Sequence, residues 1–460
     1  MAILTAGRGA SGRLGSGTPT TAGQSLRQRV VANRVLALWV VVSLAALPTD
    51  TYLFQAAYLW LALMALAALA VVVVRPSCRF NSTLVVACPL AALAWLTPWD
   101  ITGNGVRDIV FVFPAAVSAL AVARLTGPRE RALATAIVWV AVIGAVVTTW
   151  HWGVDNIDVF HIVQQGALQV PRGLNPYHSW FASTTPGIRE LHYPYGPILL
   201  LLSLPAAAVG DVRLLSLAAA LGILALGYAR LRHLRGGAPL VVMLLVSPWL
   251  VWPMLQSWTE LVAMALLLGW YGLHERWRGS WVLLGLAVGV NALVLIVAIP
   301  IFLVRPSLRR HAAAGMALAV ACYGGAFLVS GHSLIGAFLT AAHPDWSATI
   351  GVGGVVQLIA HRVLPSAVAV GVFAIGCSVA LLRRPATPLG QELAVAAISA
   401  ATVWCLPASY FEYLLMPMLW CWWWLGSAAL DLSSREMADT PRAGGLPTAP
   451  ETRKGTATRL

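Results

Sequence analysis

Apolar residues run in long blocks along this chain, separated by short polar connectors and by one long polar stretch. After an opening segment rich in Gly, Ser, Thr and Arg (residues 1–33), apolar segments lie near 34–47, 54–74, 83–97, 109–123 and 132–150. A second series follows near 195–209, 212–228, 239–254, 261–274, 281–304, 312–330, 366–382, 391–408 and 414–430. A helix needs about 20 apolar residues to span the hydrocarbon of a bilayer, and segments of this kind are its signature. The pattern predicts an all-α, polytopic membrane protein with about 11–14 membrane helices. The expected divisions are a tail (1–33), N-terminal membrane helices (34–150), a large outer loop with short interfacial helices (151–197), C-terminal membrane helices (198–430) and a second disordered tail (431–460).

The connectors alternate in character, and this orients the chain. Arg75 and Arg79 are followed by Asp100 and Asn104, then by Arg124, Arg129 and Arg131. Arginine in short loops marks the cytoplasmic side. The segment ending near residue 150 therefore ends outside, and the 151–197 loop faces outward, with both termini in the cytoplasm. Two places break the alternation. The runs 195–209 and 212–228 would carry LRHLR (231–235) to the wrong side if both crossed, so one of them dips in and returns or packs obliquely. The segment 281–304 lies between Arg276/Arg278 and Arg305/Arg309/Arg310, with Asn291 at its middle. Two half-helices forming a re-entrant hairpin would keep both basic clusters on one side, an arrangement permitted where protein or a cavity satisfies the broken backbone.

Composition sharpens this picture. The chain is 59% hydrophobic and 10% charged, which excludes an ordinary soluble domain. Its net charge of +13 comes from arginine in loops and tails, not from a basic surface interleaved with aromatics, so no nucleic-acid partner is expected. The six cysteines lie almost all within apolar segments without a close pair, and read as small buried hydrophobes.

The polar stretch from His151 to Pro197 gathers Asp155, Asp158, Glu190, four histidines, Arg172, Arg189 and Tyr177, Tyr193 and Tyr195. Asp155 and Asp158 are three apart and share a face on a helix. One can act as a general base while the other, by like charge, raises its pKa or positions a hydroxyl; both also suit a helix N-terminus, as ordinary carboxylates there. Arg172 or Arg189 can hold a phosphate in bidentate fashion or anchor a lipid headgroup. The histidines at 151, 161, 178 and 192 have no tight ligand spacing, so no metal or other cofactor is expected, and a divalent cation has no motif in its support. A single histidine, His192, fits better as a donor to a departing phosphate. Beyond the loop, Glu260 in QSWTE, Asp345 in HPDW and Glu412 in SYFEY stand at segment ends or in outer loops, where ionisable groups are candidates for substrate contact.

The pieces DVFH (158–161), RGLNPY (172–177) and HYPYGP (192–197) resemble the first large outer loop of GT-C-class glycosyltransferases, and look most like polyprenol-phosphate-mannose-dependent mannosyltransferases of actinobacteria. QSWTE, the 281–304 hairpin and SYFEY are weaker echoes. In that family the loop usually follows the first span, whereas here five apolar segments precede it, and members often carry lysine where this hairpin has Asn291. The resemblance implies an inverting transfer of a sugar, mannose by the closest likeness, from a polyprenyl-phosphate donor to an envelope glycan or glycolipid acceptor outside the cytoplasmic membrane. Asp158 is then the base, with Asp155 beside it. Arg172, Arg189 and His192 would meet the donor phosphate, and Tyr177, Tyr193, Tyr195, Glu260, Asp345 and Glu412 the substrates. The competing expectation is a transporter or lipid flippase, which would place ionisable residues mid-span and show an internal repeat.

Overall fold

The computed structural model describes residues 150, 158–182, 190–231, 248–341, 366–406, 413 and 415–439. The described chain is mostly helical. A short helix α1 (Asp158–Gln169) leads through two 3-10 turns and a two-residue antiparallel ladder, β1 (Phe181–Ala182) with β2 (Glu190–Leu191), into α2 (Pro197–Val209) and α3 (Arg213–Leu231). Then come α4 (Pro248–Leu255), α5 (Thr259–Leu273), α6 (Trp281–Val290), α7 (Leu295–Val304), α8 (Arg309–Ser330), α9 (His332–Ala341), α10 (Ser366–Arg383), α11 (Pro388–Trp404) and α12 (Leu415–Asp439). Among the described residues two stretches, Arg213–Leu231 and Pro306–Ser330, are long and apolar enough to cross a membrane. The 1–33 tail, the first five apolar segments up to residue 149, Asp155, Arg189, Asp345 and Glu412 lie outside the described residues.

Named contacts fix how the helices run. At the start of α5, Thr259 and Glu260 meet Asn291, the residue that ends α6. At the end of α5, the Tyr271 hydroxyl donates to Glu392 of α11 at 2.8 Å, and the Arg305 guanidinium lies 4.9 Å from the Tyr271 ring centroid. Arg305 also reaches Glu392 at 3.3 Å. So α6 climbs alongside α5, the chain breaks at Asn291, and α7 returns Arg305 to the level from which α6 set out. This is the hairpin that the two flanking arginine clusters predict. The break has a local cause. Asn291 adopts an extended backbone (φ −147°, ψ 115°), and its side-chain oxygen accepts from the Leu293 amide, ending one helix and capping the next turn.

The oblique run also has its place. Gly196, just before α2, donates its amide to the Val290 carbonyl at 3.0 Å, at the hairpin's tip. The helix ends at Gly210, whose φ of 108° suits a left-handed C-cap. The chain then enters α3, whose far end carries Arg230 over the Trp423 ring at 4.0 Å, beside Tyr271. Both ends of α2 thus lie at the tip side, and only α3 runs the length of the bundle. Among the described residues Arg230, Arg276, Arg278, Arg305, Arg309, Arg310, Arg383 and Arg384 gather at one end, hereafter the arginine-rich end. Only Arg172 and Arg213 stand at the other.

Packing is close where small residues allow it. A Cβ on Gly285 would lie 2.8 Å from the Gly315 carbonyl, so α6 and α8 pack backbone to backbone. They run parallel, with the Tyr323 hydroxyl donating to the Val288 carbonyl at 3.1 Å. On the opposite flank, the Trp420 and Trp424 indoles of α12 donate to the carbonyls of Glu392 and Leu389. The tryptophan run thus belongs to the core, with Trp422, Trp423 and Trp424 all buried. The helix α12 also continues to Asp439, into the segment expected as a disordered tail from 431. Arg435, Glu436, Met437 and Ala438 are good helix formers and extend it.

The start of α3 is clamped by charge. Arg213, buried, donates from Nε to both Asp211 oxygens (2.9 and 3.0 Å) and from Nη1 to the Trp150 carbonyl, and its guanidinium lies 4.3 Å from the Trp150 ring centroid. Burial on its own pushes the Asp211 carboxyl up. The hydrogen bonds and charge of Arg213, with the Trp150 indole bond, outweigh it and hold the carboxyl below the usual range. A depressed folded pKa contributes stability above the unfolded value, and that contribution is lost as pH falls through the folded one. Asp211→Asn leaves the buried guanidinium unpaired and is expected to cost on the order of 3 kcal/mol. Thermal unfolding in detergent should show the wild type losing stability toward acid pH through this group and the variant lacking that component.

Candidate functional site

The three loop pieces converge on one place. DVFH opens α1, which lies along α2: Gln164 donates to the Ala207 carbonyl at 3.1 Å and accepts from the Val212 amide at 3.0 Å. In RGLNPY, Gly173 takes a left-handed conformation (φ 71°) that closes the first 3-10 turn, and the Asn175 side chain caps the next by accepting from the Tyr177 amide. This Asn-Pro-Tyr turn docks on the end of α8. Asn175 donates to the Ser330 hydroxyl at 3.0 Å, and His178 Nε2 lies 3.1 Å from the Ser330 carbonyl.

HYPYGP fills the space between turn and hairpin. The Tyr177 hydroxyl donates to the Tyr195 carbonyl at 2.9 Å, and the rings of Tyr177, Tyr193 and Tyr195 stack edge to face with centroids 5.5 Å apart. Tyr193 is fully buried, with Gly166 of α1 pressed against its ring. Burial raises the phenol pKa of both Tyr177 and Tyr193. These two rings hold the loop in place. Gly196 then seats the segment on the hairpin, where a Cβ would overlap the Gly289 carbonyl, so only glycine permits the approach.

Below this seat, Glu260 is buried (2% exposed) in the first turn of α5. Asn291 Nδ2 donates to its carboxylate at 2.7 Å and to the Thr259 hydroxyl at 3.0 Å, and Thr259 in turn hydrogen-bonds the same carboxylate. A carboxylate here suits the positive end of the α5 dipole. The preceding corner turns at Ser257, a non-glycine residue at φ 60°. Gln256 and Ser257 are buried, and their side-chain polar atoms find no hydrogen-bond partner among the described residues.

The other expected site residues are placed as follows. Asp158 is the first residue of α1. Arg172 is exposed on the 3-10 turn. His192 is half-buried, its Nδ1 3.0 Å from the Ser179 carbonyl and its ring 3.7 Å from the exposed Trp180. The structure therefore joins Tyr177, Tyr193, Tyr195 and Glu260 around the hairpin tip. Among the described residues, no three His, Cys, Asp or Glu side chains converge as metal ligands would. Sequence reasoning missed that Asn291 and Glu260 are partners, and missed the Arg305–Glu392–Tyr271 cluster at the opposite end. Two polar residues at comparable depth in separate apolar runs were the available signal for the first pair.

No protein-family model matches the chain, and neither a curated protein nor a solved structure is significantly similar to it.

Proposed function

We propose that the chain is an inverting glycosyltransferase of the cytoplasmic membrane, one that moves a sugar from a polyprenyl-phosphate donor to a glycan or glycolipid acceptor on the outer face. Mannose is the sugar favoured by the loop's resemblance. The arginine-rich end faces the cytoplasm under the positive-inside bias, and α12 ends on that side. The loop, the hairpin tip and Glu260 then share the outward side. The observation that carries the reading is the seating of HYPYGP on the hairpin tip above Glu260. It sets a polar floor beneath the outer loop, where a lipid-borne donor arrives sideways and a polar acceptor arrives from water.

Transfer at the anomeric carbon requires one carboxylate to take the acceptor's proton and donors to meet the departing phosphate. Asp158, with Asp155 three residues before it, is assigned the first role. Arg172, Arg189 and His192 are assigned the second, Asp345, Glu412 and Tyr195 contact the substrates, and Glu260 anchors the floor beneath them. The buried rings of Tyr177 and Tyr193 position the loop. The transporter or flippase alternative draws on the broken hairpin, a device such proteins use at their binding sites. It is disfavoured because the two buried acids of the described helices are already engaged within the fold. Glu392 pairs with Arg305 at the arginine-rich end, and Glu260 is held by Asn291 and Thr259.

The deciding experiment incubates membranes containing the full chain with radiolabelled polyprenyl-phosphate mannose and an envelope-lipid extract as acceptor. Labelled product that depends on the protein is expected. Retention of all label in the donor, across mannose, glucose and arabinose carriers, would overturn the reading.

A further inference from the structure

The corner before α5 holds polar groups that the fold itself does not use. Glu260, Thr259 and Asn291 satisfy one another and fasten the hairpin tip to the helix start. Gln256 is not part of that set. It is 0% exposed, and among the described residues both its amide nitrogen and its amide oxygen lack a partner, as does the neighbouring Ser257 hydroxyl. Burying an amide without hydrogen bonds destabilises the folded state. A leucine or methionine would fill the same place without that cost. Unsatisfied groups of this kind call for an explanation outside the resting fold.

The chemistry of the corner limits what could satisfy it. An anion is disfavoured by the neighbouring Glu260 carboxylate, and no residue of the corner itself, 256–260, is cationic. Of the two arginines described at this end, Arg213 is committed to Asp211 and Arg172 is exposed on the loop's turn. A cation would find only one carboxylate, already held by Asn291 and Thr259. What remains is a neutral ligand that both donates and accepts. A primary amide presents one acceptor and two donors in a plane, and a serine hydroxyl adds one of each. Two adjacent hydroxyls of a sugar ring match that set, one donating to the amide oxygen and the other accepting from its nitrogen.

We infer that Gln256 and Ser257 form a subsite for the vicinal hydroxyls of a hexose at the start of α5. The inference rests on the glycosyltransferase reading and names a substrate contact within it. The hexose is either the donor's sugar or a residue of the acceptor glycan, and both present the same diol. Because the amide is already dehydrated, binding does not have to strip water from it.

The test is Gln256→Met, which keeps the side chain's length and removes its polar atoms. Binding to the purified full-length protein in detergent is measured for three probes: a short-chain prenyl phosphomannose, the bare prenyl phosphate, and a mannose disaccharide. Melting temperature is followed in parallel. The subsite predicts that the variant melts at or above the wild type. It also predicts that the variant binds either the phosphomannose or the disaccharide about ten- to a hundredfold more weakly, as when a site loses its partners for a ligand hydroxyl. The weakened probe identifies the source of the hexose, and bare prenyl phosphate serves as the unaffected control. Wild-type binding of sugar-bearing probes that Gln256→Met leaves unchanged overturns the subsite alone. Failure of the wild type to bind any sugar-bearing probe overturns the subsite and the glycosyltransferase reading together.

Discussion

Asp158→Asn is expected to abolish sugar transfer while leaving the folded protein intact. A positioned general base contributes about a hundred- to ten-thousandfold to rate, and asparagine keeps the shape of aspartate but cannot take the acceptor's proton. The residue opens α1, where a carboxylate adds roughly 0.3–1 kcal/mol through the helix dipole, so its loss should lower thermal stability only slightly. Asp155→Asn separates the two neighbouring acids. If Asp155 serves by charge, its variant should retain part of the rate and shift the pH profile of what remains. Labelled transfer in membranes, with the amount of folded protein measured by size exclusion, gives both readings. Unimpaired transfer by Asp158→Asn would remove it from the base role.

Gly196→Ala should be nearly as damaging by a different route. The added methyl runs into the Gly289 carbonyl, and main chain cannot step aside as a flexible side chain can. The HYPYGP segment must lift from the hairpin and give up the bond from its amide to Val290. Overpacking of this kind costs about 1–3 kcal/mol, and a misplacement of about 1 Å can slow a reaction on the order of a hundredfold. Hydrogen exchange should show the Gly196 amide losing protection together with the loop, while α3 and α5 stay protected. A variant with wild-type exchange and wild-type transfer would mean the seat has no bearing on the chemistry.

Two turns of the described helices were legible because arginine clusters flank them. Neither 281–304 nor the pair 195–209 and 212–228 could be threaded simply without moving arginines to the wrong end, and at both the structure folds back or lies obliquely. Asn291 was recognisable as the hairpin's turn because a lone amide in GLAVGVNALV has no packing reason to be there. Its bond to Glu260 was not recognisable, since the partners come together only once α6 has run back along α5. The pairing of Glu392 is hidden for a related reason. It sits in PLGQELAVAA as a single acid in an apolar run, and Arg305, its partner, looks like one more orientation marker. In the sequence the tyrosines resemble surfaces for substrate, as aromatic-rich loops often are. Whether a ring faces outward or inward depends on neighbours such as Gly166, which admits the close approach that buries Tyr193.

The fold-back also determines depth. Each arm of the hairpin has 10 residues, so its tip stands only about 15 Å from the arginine-rich end. On α8 the level of the tip is marked by Tyr323, and the helix continues roughly 10 Å farther to Ser330, where the outer loop is tied down. On the placement proposed above, with the arginine-rich end at the cytoplasmic surface, the polar floor would be sunk well inside the hydrocarbon slab. A phosphate riding at headgroup level must be drawn inward to reach it, or the lipid must thin around α6 and α7. For the proposed transfer, acyl-chain length then becomes a variable of the reaction itself, because the surrounding bilayer would set the distance between carrier and floor.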